Sequence, residues 1–246
     1  MMGRRPPLRA ITFDYWDTLY SGAALRERAA LRQRALRQMV ADVGCTIPDE
    51  TFLAEYRASG EEAERWWREE HRGYTARDRI TWMLNRLSVT RPDNCEHVAR
   101  AIAAVDEALL QLPPPLFAGA ADCIRTLSAR FQLAIISDTG FASGQAQDRL
   151  LKQDGLRDYF ARTIYSADVG HAKPRPEPFA AALSALNVVP EETLHVGDNE
   201  RTDVRGALDA GMRAIRIDVV REGGATEGEG VVRSLRELTE LLLRAS

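Results

Sequence analysis

Four short polar clusters, each following an apolar run, carry the residues able to do chemistry: Asp14, then Ser137 with Asp138, then Lys173, then Gly197-Asp198 with Asp203 five residues on. Two carboxylates, Asp14 and Asp198, brought together at strand ends would form a hard oxygen site suited to Mg2+, which takes one or two protein carboxylates with water and substrate phosphate. The Ser137 hydroxyl and the Lys173 ammonium are donors for phosphate oxygens, and the lysine charge offsets repulsion between carboxylates and an anionic substrate. Asp14 could then attack phosphorus and form an aspartyl-phosphate. Asp203, at the start of a helical pattern, would support the metal site.

These clusters meet only if the apolar runs before them lie side by side. Leu8–Phe13 reads as a short buried strand, and similar runs recur at Gln132–Ile136, Arg162–Tyr165, Thr193–Val196 and Ala214–Ile217. Helical patterns at Ala118–Ala129, Ser143–Gln153, Glu177–Leu186 and Thr202–Ala210 separate them, and a last helix is expected at Val232–Leu243. Strands alternating with helices imply parallel pairing through right-handed crossovers. The fold class is therefore α/β, a Rossmann-like doubly wound parallel sheet, in which ligands bind beyond the carboxyl ends of the strands.

Between the first two strands the rhythm breaks. Residues 23–112 show no strand pattern and four helical stretches, the first with Leu25, Ala29, Leu36, Val40 and Val43 on one stripe, the third with Ile80, Met83, Leu84 and Leu87. Asp93 with Glu96 reads as the N-terminal cap of the fourth. Pro113-Pro114-Pro115 closes the segment, since three prolines fit neither helix interior nor central strand. The expected organisation is a core of residues 1–22 and 113–246 with a helical cap at 23–112. Glu222–Gly230, rich in glycine, reads as a flexible surface loop.

The chain has 246 residues and a net charge of −3, with acids and bases interspersed, which gives no electrostatic footprint for nucleic acid or an anionic membrane. No apolar run approaches a membrane span, and Asp14 interrupts the first one before a signal-peptide core can form. Cys45, Cys95 and Cys123 are odd in number and far apart, which fits a reducing, cytoplasmic setting rather than a disulfide framework or zinc cluster. Of 33 basic residues only Lys152 and Lys173 are lysine. A lysine at the phosphate position is thus less readily a coincidence.

With these residues on the page, the chain is similar to the haloacid dehalogenase superfamily of aspartate-nucleophile hydrolases. Asp14 resembles the nucleophile that also ligates metal, Ser137 the phosphate-binding hydroxyl, and Lys173 in Gly170-His-Ala-Lys-Pro-Arg-Pro the family's lysine. Gly197-Asp198-Asn-Glu-Arg-Thr-Asp203 resembles the acidic metal motif, with Asp198 the direct ligand and Asp203 behind it. The resemblance spans roughly Ala10 to Leu243. It implies a Mg2+-dependent phosphohydrolase acting on a small phosphorylated metabolite, as a monomer or homodimer.

One position departs from the pattern. Family phosphatases carry a second aspartate two residues after the nucleophile, as acid and base, and here that residue is Trp16. Its backbone carbonyl can still ligate metal. Asp17 lies one step further, and in extended chain a single step turns the side chain to the opposite face, so it is at best a poor substitute acid and otherwise a turn residue. Two rivals therefore stand: a metal-independent 2-haloacid dehalogenase, whose nucleophile loop also lacks that aspartate, and an idle relative that binds a phosphorylated ligand or partner. A phosphonate hydrolase would need a cap lysine, and the cap has none.

Other polar residues have bland readings. Asp138 reads as a turn residue beside Gly140, and His195, inside an apolar strand, as a satisfied core histidine. Arg65, Trp66, Trp67, Arg68, His71 and Arg72 form a recognition-like cluster. Adjacent tryptophans point about 100° apart on a helix, so one is expected to pack in the cap and the other to shield the seam with the core. Arginines there form a solvated face or grip a distal part of the substrate.

Overall fold

The computed structural model describes residues 6–23, 25–89, 96–220 and 223–244. Asp93 and Cys95 lie outside them. Six strands form one parallel sheet: β1 (Ala10–Phe13), β2 (Gln132–Ser137), β3 (Phe160–Tyr165), β4 (Thr193–Gly197), β5 (Arg213–Ile217) and β6 (Val231–Val232). Their order is β3-β2-β1-β4-β5-β6. The direction of winding reverses between β1 and β4, so the crevice beyond their carboxyl ends is where ligands bind in such sheets.

Strand period sorts the core into two layers. Ile11 and Phe13 face one side with α5 (Ala120–Ser128), α6 (Gly144–Gln153) and α10 (Leu235–Arg244), where Leu127, Leu150 and Leu238 are fully buried. Ile136 and Ala214 face the other with Phe179 of α8 (Pro176–Leu186) and Ala207 of α9 (Arg205–Asp209). A single turn, α7 (Ser166–Val169), follows β3.

Between β1 and β2 run α1 (Arg26–Asp42), α2 (Asp49–Arg68), α3 (Ala76–Arg86) and α4 (Glu96–Gln111). They close on their own apolar cluster of Leu36, Phe52, Ile80, Met83, Val98 and Val105, to which the β2-proximal side adds Phe141. Helix α3 starts at a reciprocal cap: Thr75 Oγ1 accepts from Asp78 N while the Asp78 carboxylate accepts from Thr75 N. Leu25, expected on the α1 stripe, is instead exposed.

Two expectations change. β6 is two residues long, too short to leave a periodic signal, and the last helix starts at Leu235 rather than Val232. The segment read as a flexible loop before it is tied down where it is described: the buried Arg216 guanidinium donates to the carbonyls of Gly224 and Ala225 and to Glu200 and Asp218. Among the described residues no helix is long and apolar enough to cross a membrane.

Candidate active site

Asp14 leaves the end of β1 with its backbone N–H donated to the Val196 carbonyl of β4 at 2.8 Å. Its Oδ1 accepts from Lys173 Nζ at 2.6 Å, and the same ammonium donates to Asp203 Oδ1 at 2.5 Å and to the Ile136 carbonyl at 3.0 Å. Lys173 is 1% exposed. All three of its protons therefore have acceptors, which is how a buried ammonium is tolerated.

Asp203 reaches this point through an irregular helix start. Residues Glu200–Val204 form a wide π-type turn in place of the regular helix expected from Thr202, and Asn199 caps it by accepting from the N–H groups of Arg201 and Thr202. Such turns recur at functional sites because they re-aim a side chain. Here Asp203 Oδ2 accepts from Asn199 N at 2.9 Å and Oδ1 faces His195 Nε2 at 3.3 Å. Gly197 makes the room: a Cβ there would lie 2.3 Å from Asp203 Cγ.

His195 is a satisfied core histidine, fully buried with Thr12 Oγ1 on Nδ1 at 2.8 Å. Burial holds its pKa below the ordinary value against the pull of Asp203, so the ring is neutral and its contact with Asp203 is a hydrogen bond. Burial would raise Asp203, but the Lys173 charge and the His195 hydrogen bond overcome it and hold the carboxyl well below the usual range. Burial would likewise lower Lys173, and the Asp14, Asp203 and Asp138 carboxylates hold it up. For Asp14 burial wins: with Asp203 and Asp198 adding to it, the carboxyl sits well above its ordinary value despite Lys173.

Asp14, Asp198 and Asp203 each place a carboxylate oxygen within 4.8 Å of one another. Asp203 spends both oxygens on Lys173, His195 and Asn199, whereas Asp14 and Asp198 line a cavity of about 200 Å3. Asp17, Glu64, Asp138 and Asp203 line it too, so six carboxylates share the cavity with one ammonium. This excess of negative charge and the all-oxygen donor set fit a hard divalent cation. The turn after Asp14 leaves a further oxygen: Leu19 and Tyr20 donate to the Tyr15 carbonyl and Asp17 to that of Tyr20, and among the described residues no backbone N–H donates to the Trp16 carbonyl.

The other expected residues divide. Trp16 and Asp17 line the cavity. Asp17 has a left-handed φ of +57° and its Oδ1 accepts from Gly22 N at 2.7 Å. It is a turn residue, as one of its two readings had it, but the chain there is not extended, so the opposite-face argument fails and the residue stays at the cavity wall. Ser137 is buried and donates to Gln147 Oε1 at 2.9 Å, and it is not part of the lining. Thr139 and Gly140 take that place.

Asp138 is the residue the sequence undervalued. Its Oδ1 accepts from Lys173 N at 3.0 Å and its Oδ2 from Trp67 Nε1 at 2.9 Å. The paired tryptophans thus separate as expected: Trp66 packs inside the insertion against Tyr74 and Arg72, and Trp67 crosses to the core. Glu64 and Tyr74, also from the insertion, line the cavity and were not expected there. The insertion is further stitched down by backbone bonds from Gly73 N to Gly170 O and from Ala172 N to His71 O. A Cβ on Gly73 would sit 1.8 Å from the Ser166 carbonyl oxygen, so this approach requires glycine.

Over 214 residues the chain is 31% identical to the glyceraldehyde 3-phosphate phosphatase of Methanopyrus kandleri, which covers 85% of this chain and 84% of that protein. It is 32% identical over 143 residues to a pyrimidine 5'-nucleotidase of Escherichia coli, covering 56% of this chain and 60% of the other. Among solved structures, the 2-haloacid dehalogenase of Pseudomonas syringae matches with a TM-score of 0.69 at 25% identity, covering 97% of this chain and 100% of that one. A phosphatase from Thermococcus onnurineus shares the fold with a TM-score of 0.67 at 21% identity, over 96% and 98% of the two chains. Residues 8–211 match the haloacid dehalogenase-like hydrolases, the family to which this chain belongs.

Proposed function

We propose that the protein is a Mg2+-dependent phosphohydrolase of a small phosphorylated metabolite, working through an aspartyl-phosphate on Asp14. The observation that carries this reading is the placement of Asp14 and Asp198 beyond the ends of neighbouring strands, around the buried Lys173 ammonium, at one cavity. Asp14, Asp198 and the Trp16 carbonyl would hold Mg2+, with Asp203 in support, and the bound ion would supply charge neutralisation at the phosphate.

Lys173 holds Asp14 through Oδ1, and Oδ2, which the Thr18 hydroxyl approaches at 3.5 Å, is the attacking oxygen in this reading. That oxygen forms a bond to phosphorus as the bond to the leaving oxygen breaks, and water then cleaves the acyl phosphate to regenerate the carboxylate. The Lys173 charge opposes the burial that favours a neutral Asp14. Ser137 serves phosphate binding in this reading if its hydroxyl turns from Gln147 to the ligand. Leaving-group protonation falls to Asp17 or Glu64, the carboxylates that line the cavity from outside the Lys173 cluster. General acid help is worth about 10²–10⁴-fold, so slow turnover of poor leaving groups is expected.

A phosphate-release screen over phosphorylated metabolites, with and without Mg2+, tests this. Turnover that needs the ion and vanishes in Asp14→Asn supports it; full activity in Asp14→Asn sinks the nucleophile assignment. The second reading, a 2-haloacid dehalogenase, is favoured by Trp16 in place of the second aspartate and by the structural likeness above. Halide release from a 2-chloroacid in the presence of chelator would establish it instead.

A further inference from the structure

A second cavity, of about 620 Å3, adjoins the first and shares Trp16, Trp67 and Asp138 with it. Its far wall is Arg28 and Arg32 of α1, one helical turn apart on one face, with Phe141 from the loop after β2. The acids of this cavity are engaged: Asp17 with Gly22 N, Glu64 with Arg68, and Asp138 with Trp67 and Lys173 N. Of the four arginines on its wall, Arg68 pairs with Glu64 and Arg201 lies over the Trp67 ring, and among the described residues neither Arg28 nor Arg32 bonds a carboxylate. Arg28 donates through Nε and Nη2 to the neutral Leu112 carbonyl at 2.9 and 2.7 Å. Arg32 Nε is buried with no hydrogen-bond partner among the described residues, and its guanidinium lies over the Phe141 ring at 5.6 Å.

By contrast the arginines expected to read the substrate are consumed: Arg65 pairs with Glu62 and Glu70, Arg68 with Glu64, and Arg72 with Asp78. Burying a cation without a counter-charge is costly, and a guanidinium matches a carboxylate or phosphate through two parallel hydrogen bonds. We propose that Arg28 and Arg32 bind a second anionic group of the substrate, so that the ester hydrolysed at Asp14 carries a carboxylate or second phosphate at its distal end. This rests on the phosphohydrolase reading above. Burial brings the Arg32 guanidinium down to about 10, which still leaves it charged at neutral pH.

Matched esters decide it: phosphorylated hydroxy acids of graded chain length, the diol monophosphates in which a hydroxyl replaces the carboxylate, and the diol bisphosphates. One charge-assisted pair is worth about tenfold or more, so wild-type kcat/KM for the best charged member exceeds its neutral counterpart by at least that. In Arg32→Gln the ratio falls toward one, with Arg32→Lys between. The arm that wins tells carboxylate from phosphate. Calorimetric titration of the same pairs into Asp14→Asn, with and without Arg32→Gln, reads the ratio in Kd without turnover.

Equal values for charged and neutral members, or a ratio that survives in Arg32→Gln, overturns the proposal. The wild-type ratio decides alone should Arg32→Gln not fold. Turnover without discrimination removes only this proposal. A Kd ratio without turnover of any ester keeps the anion site and removes the hydrolase reading.

Discussion

The indole Nε1 of Trp67, on the inserted helix α2, donates to Asp138 Oδ2 of the core across 2.9 Å, directly at the cavity that holds Asp14. Asp138 is also held by the backbone N–H of Lys173, so one carboxylate links the insertion to the segment that carries the buried lysine. Burial raises the Asp138 carboxyl, while Lys173 and the Trp67 hydrogen bond oppose that rise. Removing the donor leaves a buried acceptor unpaired, at a cost of about 1–3 kcal/mol. In Trp67→Phe we expect KM to rise several-fold to about a hundredfold, and faster hydrogen exchange in residues 64–73. Unchanged exchange and KM would show that this contact does not hold the insertion down.

Lys173 stands between Asp14 and Asp203 with its three protons satisfied. Lys173→Met leaves two buried carboxylates facing each other, and breaking a buried pair from one side costs about 3–5 kcal/mol. The urea midpoint should drop accordingly at unchanged slope, and phosphate release should disappear. A variant as stable as the wild type contradicts the central place given to this ammonium.

Trp16 stands where the family's acid and base would be, and its side chain already lines the cavity. Trp16→Asp should raise turnover of esters with poor leaving groups by up to about 10²–10⁴-fold. It also removes packing against Tyr15 and the Leu109, Ala142 and Ala146 cluster, so a loss of up to about 3–5 kcal/mol in stability accompanies it. A folded Trp16→Asp protein with no gain on any ester would place the missing acid elsewhere.

The alkaline limit of stability follows from buried phenols. Burial raises Tyr15, with Asp154 and Asp148 adding to it; burial and the hydrogen bond to Asp154 raise Tyr20; burial and Asp148 raise Tyr165. Burial pushes the Cys123 thiol up to about 11. All four are neutral in the folded protein, while the unfolded chain ionises its tyrosines near 10. Above that pH the unfolded state binds fewer protons, so stability falls as pH rises; below it the contribution is fully present. Thermal midpoints should hold to about pH 9 and fall from about pH 10, less steeply in Tyr20→Phe. A flat profile through that range counts against it.

The sequence by itself determined the α/β sheet, the helical insertion after β1 and the positions of Asp14, Lys173, Asp198 and Asp203, because each lies just beyond an apolar run and parallel pairing carries such run ends to one edge. Period and burial are local properties, so they were readable. What only the tertiary structure decided are contacts between distant segments: the Asp138 to Trp67 link, the turning of Ser137 to Gln147, and the approach of Glu64 to the cavity. The wide turn at Glu200–Val204 and the left-handed Asp17 also escaped a periodic reading, because each is a local departure imposed by what its side chain must reach. Arg28 and Arg32 looked like two of 31 arginines. What sets them apart is their place on the wall of the second cavity with no carboxylate bonded to them among the described residues, and that depends on which acids the folded chain has already spent elsewhere.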